Sequence, residues 1–141
     1  MTSAPATART DPGLPPELAQ QFHVDAAGEV WLRAARCAGG VMFPPRRYCG
    51  TDLSEPDELL LPGDGRVNCI TRVRVRPPYG LPQGYMIGFV DLDAAPVRVF
   101  GLFAPEDAEA MTPGRPVTLT LKPLGTDNAG APCLRPVFVA A

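Results

Sequence analysis

Cys37 and Cys49 are the residues whose type and spacing come nearest to a metal site. Tetrahedral zinc takes four thiolate or imidazole ligands, usually offered as two closely spaced pairs. Here the second member of each pair is missing: Gly40 stands three residues after Cys37, Asp52 stands three after Cys49, and the single histidine, His23, lies outside both knuckles. Two thiolates with Asp52 would hold at most a weak metal, so zinc is not expected and the pair reads as a degenerate, metal-free remnant. An intact zinc site and a Cys37–Cys49 disulfide or redox pair are the other two readings. Without metal, Val41, Met42, Phe43 and the following prolines must hold this hairpin by apolar contact, on the order of 1 kcal/mol or more per well-buried large side chain.

Arg72, Arg74 and Arg76 alternate with Val73 and Val75. On a period of two, the three guanidinium groups share one face of a strand. One reading is a solvated face that offsets the acidic stretch before it, Asp52, Glu55, Asp57, Glu58 and Asp64. The other is an anion-binding face for the phosphates of a coenzyme A or carrier thioester, or for an acidic partner. Nucleic acid is a poor fit: the net charge is -2 with a pI near 5.3. The arginine run also carries no stacking ring of its own, with Tyr79 and Tyr85 only flanking it.

Catalysis by the chain itself has little support. Cys69 and Cys133 fall inside predicted strands and read as small buried thiols. One histidine leaves no visible Cys-His arrangement. Asp91 and Asp93 read as solvent-facing at a hairpin rim, and Gly39-Gly40 lacks the spacing of a phosphate loop. No catalytic residue and no tightly bound cofactor is expected.

These residues must be positioned by a small, mainly β chain. Its 141 residues suit one modest core, and 45% apolar content argues for a folded body despite 18 prolines and 14 glycines. Residues 1–15 read as a disordered tail, 16–62 as an N-terminal helix with the degenerate ribbon, and 63–141 as a barrel. Pro16 to Gln21 suits a short helix, His23 to Gly28 a turn, and Glu29 to Cys37 a strand, with a second extended piece at Val41 to Phe43. Glu55 to Leu61 reads as a turn or strand. The barrel strands are placed at Arg66 to Arg76, Tyr85 to Asp93, Val97 to Phe103, Pro116 to Leu121 and Pro132 to Phe138. A short helix over Pro105 to Met111 separates the third strand from the fourth. That order matches a five-stranded OB-type barrel, with a sandwich fragment as the competing architecture. No apolar run reaches the length of a membrane span and the N-terminus lacks a signal-peptide core, so a cytoplasmic protein is expected. In that compartment the cysteines are read as thiols or ligands rather than structural disulfides.

At LRAARC (Leu32 to Cys37), FPPRRYC (Phe43 to Cys49), RVNCITRVRVRPPYG, GYMIGFVDLD and APCLRPVF, the chain resembles the acyl-CoA-associated DUF35-type family. Members carry an N-terminal rubredoxin-like zinc ribbon and a C-terminal OB-fold, and the similarity runs over about residues 16–139. The resemblance implies a non-catalytic accessory subunit of a thiolase-like or ketosynthase-like enzyme acting on acyl-CoA or acyl-carrier thioesters. It places the catalytic groups on the partner and carries over only the first cysteine of each family pair, Cys37 and Cys49. Trp31, Phe43, Pro44, Pro45 and Tyr79 would then face the partner, and Arg72, Arg74 and Arg76 would contact the thioester's phosphates. The alternative is a free-standing OB-fold module for single-stranded nucleic acid.

Overall fold

The computed structural model describes residues 14–141. Of the expected disordered tail, residues 1–13 lie outside the described residues, while Leu14 and Pro15 are buried. One helical turn follows, α1 (Pro16–Ala19), entered through prolines whose missing N–H groups would have had no helical acceptor in any case.

The N-terminal sheet is built on β2 (Val30–Cys37). Its alternation buries Val30, Leu32 and Ala34 and leaves Trp31 and Arg33 half-covered. β1 (Phe22–Val24) pairs with the first part of β2, from Val24 opposite Val30 to Phe22 opposite Leu32. β3 (Gly40–Met42) pairs with its end, and β4 (Asp57–Pro62) runs along the other edge from Trp31 to Arg36. The expected turn at His23 to Gly28 is therefore displaced, because His23 and Val24 complete β1 and the turn starts at Asp25. The Asp25 carboxylate holds that turn by accepting the amides of Ala27 and Glu29, each at 2.9 Å. A three-residue strand is too short to show a period, which is why only its partner β2 was legible.

The second group of strands is β5 (Gly65–Arg72), β6 (Met86–Leu92), β7 (Arg98–Phe103), β8 (Pro116–Thr126) and β9 (Pro132–Ala140). Among the described residues they close in the order β5-β6-β7-β9-β8, with β8 returning to β5 at Gly65 opposite Val117. The pairs are antiparallel except β7 with β9, which meet in parallel at Phe103 and Phe138. Closure excludes the sandwich fragment: this is the five-stranded OB-type barrel. The insert between β7 and β8 is a 3-10 segment (Pro105–Ala110) rather than an α-helix. Asp107 ties it to the barrel by accepting the Ala140 amide at 3.0 Å.

The arginine-bearing strand is shorter than expected. β5 ends at Arg72, one further backbone bond joins the Val73 amide to the Tyr85 carbonyl, and there is no ladder beyond it. Pro77 and Pro78 turn the chain away, so residues 74–76 have no β6 partner.

One core serves both parts. Leu32, Ala34 and Leu61 from the sheet join Val67, Val90, Val117, Leu119 and Phe138 from the barrel in a single cluster. The chain crosses between them at Gly63, where any Cβ would run into the Leu119 side chain. The next residue, Asp64, accepts the Thr118 hydroxyl at 2.6 Å.

Candidate functional site

At the ribbon end, the reading of Cys37 and Cys49 as free thiols is corrected: their sulfurs are bonded to each other at 2.05 Å. The two backbones lie side by side there, with Cα atoms 5.8 Å apart, a separation that a disulfide spans. Asp52, the remaining donor, caps a local turn by accepting the Ser54 hydroxyl at 2.7 Å and the Ser54 amide at 3.0 Å. Those bonds hold its carboxyl below the usual range. The donor set therefore does not fit ribbon zinc, since a disulfide sulfur is not a thiolate and Gly40 offers no ligand. Beyond the disulfide, the Phe43 ring packs against Phe22 with centroids 5.7 Å apart and a cis peptide joins it to Pro44. Pro44 is exposed and Pro45 half-buried.

Trp31 looks outward from β2 but is tied to its own chain, its indole Nε1 donating to Asp25 Oδ2 at 3.0 Å. That bond is the main reason the Asp25 carboxyl lies below its usual range. The ring edges a cleft of about 580 Å³ between sheet and barrel, whose far wall carries the Lys122–Glu106 ion pair at 2.7 Å.

At the opposite end of the barrel, Arg72 is turned back on the chain, its Nη1 donating to the Gly84 carbonyl at 2.8 Å. Arg74 and Arg76 are exposed on the loop beyond, so the three guanidinium groups do not share a strand face. Tyr79 is 53% exposed and bonds through its carbonyl to the Thr126 amide at 2.6 Å. Arg135 stacks over the Tyr79 ring at 5.4 Å while donating to the carbonyls of Leu124 and Thr126. Sequence reasoning missed Arg135, because nothing local marks an arginine on β9 as the clamp for a loop some fifty residues earlier.

The outer face of β5, β6 and β7 is ordered in rows. From the loop end they read Thr71–Ile87–Leu102, then Cys69–Phe89–Phe100, then Arg66–Asp91–Arg98. Cys69 belongs to this face and is exposed, against the expectation of a buried thiol. A bulge between Val67 and Cys69 inserts Asn68 as an extra residue and flips the parity of the residues after it. Cys133 is buried, as expected. Asp91, read as merely solvent-facing, accepts from Arg98 Nε at 2.7 Å and from Asn68 at 3.2 Å. The Arg98 bond keeps its carboxyl below the usual range. The rings of Phe89 and Phe100 meet edge to face, centroids 5.6 Å apart.

His23 sits on β1 with Nδ1 3.4 Å from an Arg33 nitrogen, away from either free cysteine's strand. Among the described residues, no three His, Cys, Asp or Glu side chains gather as a metal-binding group. No helix of the described residues is long and apolar enough to cross a membrane.

Comparison with known proteins comes down to structure. No protein-family profile and no curated protein matches the chain. Among solved structures, it is similar to a chain of one described as "Ltp2-ChsH2(DUF35) aldolase". The TM-score is 0.61 at 23% identity, covering 78% of this chain and 84% of that one. What the two share is the fold. The likeness spans more of the chain than the barrel alone, so it takes in part of the N-terminal sheet as well.

Proposed function

We propose that this chain is a DUF35-type accessory subunit, a non-catalytic scaffold that docks onto a thiolase-like enzyme acting on acyl-CoA or acyl-carrier thioesters. The observation that carries the reading is the fold likeness to a chain of an aldolase described with a DUF35 component. The quoted motifs of the ribbon and barrel support it independently. The placement of two of the chain's own polar groups is compatible with it: His23 and Asp52 are engaged in local bonds. The enzyme would supply the reacting groups. Arg74 and Arg76, exposed at the loop end, would meet the thioester's phosphates, with Arg72 holding the loop through Gly84.

Co-expression with each thiolase-like enzyme of the source genome tests this. The expected result is co-elution of one of them as a stoichiometric complex whose thioester turnover needs this chain. In that complex, Arg74→Glu/Arg76→Glu should weaken acyl-CoA binding by roughly tenfold, as loss of charged phosphate contacts does. Turnover by the isolated chain, or no complex with any of these enzymes, would overturn the proposal. Unchanged acyl-CoA affinity would remove the arginines from it.

A further inference from the structure

β6 and β7 are apolar on both parities. Val90 and Leu92 of β6, and Val99 and Phe103 of β7, fill the barrel. Ile87 and Phe89, and Phe100 and Leu102, point the other way. β8 does the opposite, with Val117, Leu119 and Leu121 on one parity and Thr118, Thr120 and Lys122 on the other. Strands covered on both sides read as near-continuous hydrophobic runs, and strands facing water on one side alternate. Two adjacent strands of this barrel thus have the composition of a covered layer, yet Phe89 is 39% and Phe100 55% exposed.

The surroundings of the patch say what would cover it. Asp91 and Arg98 neutralise each other at one border, and Arg66 is spent on the Gly114 carbonyl at 3.1 Å. Thr71 lies at the other border. A phosphate backbone needs free cations beside the stacking rings, and here the neighbouring cations are engaged while the two rings stand at 69° to each other. An apolar centre with aromatic anchors and a polar rim, here an Asp91–Arg98 pair with the single further charge of Arg66, is the make-up of a protein interface. Resting on the accessory-subunit reading, we propose that the outer face of β6 and β7, centred on Phe89 and Phe100, is the seat for an apolar surface of the partner enzyme.

Cys69 supplies a probe in the central row. It is exposed, whereas Cys133 is buried and Cys37 and Cys49 are bonded to each other, so a maleimide reports on this face. The rate of Cys69 alkylation would be measured on the full chain, alone and in complex with the co-expressed thiolase-like enzyme. The expected result is at least about tenfold protection, with Phe100→Thr and Phe89→Thr/Phe100→Thr weakening the complex about tenfold or more. A complex in which Cys69 reacts at the free rate and the Thr variants bind normally would overturn the seat while leaving the accessory role intact. Failure to form any complex would overturn both. Protection of Cys69 by a single-stranded oligonucleotide, or by self-association lost in Phe100→Thr, would overturn the assigned occupant.

Discussion

Trp31 and Asp25 are joined across the first hairpin, indole Nε1 to carboxylate Oδ2, at 3.0 Å. The same carboxylate holds the Ala27 and Glu29 amides, so one ionised group orders both the turn and the chain's single tryptophan. These bonds lower its pKa in the folded chain. Its contribution is therefore complete above the unfolded aspartate value and is lost as pH falls through the lower folded value. Trp31 emission should be flat from neutral pH and shift only below about pH 4. Asp25→Ala should show the shifted emission already at pH 7, and a wild-type transition near pH 6 would contradict this origin.

The Cys37–Cys49 bond closes a short loop, with a sequence separation of 12, around β3 and the proline corner. Removing it frees that loop in the unfolded chain. Cys37→Ser/Cys49→Ser should lose about 2–4 kcal/mol of stability. Thermal melts with and without dithiothreitol check this: the wild type should drop by several degrees on reduction, and the double variant should not respond.

Gly101 makes room for a phenyl ring. A Cβ built there would lie 2.6 Å from Cε2 of Phe138, which is itself fully buried. Gly101→Ala should cost about 1–3 kcal/mol, measured by urea unfolding. Gly114→Ala meets no neighbouring atom, so its cost should come only from its positive φ of 89°.

Arg135 fastens the proline loop by stacking on Tyr79 and by donating to the Leu124 and Thr126 carbonyls. Arg135→Ala should leave the barrel folded but speed amide exchange at Thr126, whose partner is the Tyr79 carbonyl. Hydrogen exchange read by mass spectrometry over residues 79–84 and 124–131 gives the measurement. Arg135→Lys should recover little, because an ammonium lacks the planar fork that serves two carbonyls and a ring together.

The parts legible in the sequence were those with a long enough repeat. β2 spans Val30–Cys37, within one residue of the stretch its alternation implied, and the barrel strands fall within a few residues of their expected places except where β5 stops at Arg72 and β8 runs on to Thr126. What stayed hidden depends on residues far apart. The bulge beside Asn68 sends Cys69 outward, and only pairing with β6 defines it. The cysteine pairing rests on where the backbone brings two side chains, which spacing alone does not tell. The Phe89 and Phe100 face left a trace in GYMIGFVDLD and VRVFGLF as apolar residues on both parities, but strand assignment consumes that signal unless each parity is asked what covers it.

The Leu32, Ala34 and Leu61 side chains lie in the same apolar interior as those of the barrel. Severing the chain near Pro62 would leave two fragments, each with a raw hydrophobic wound. Heat should accordingly melt the whole in one step, and a grip on either end would be felt as rigidity throughout.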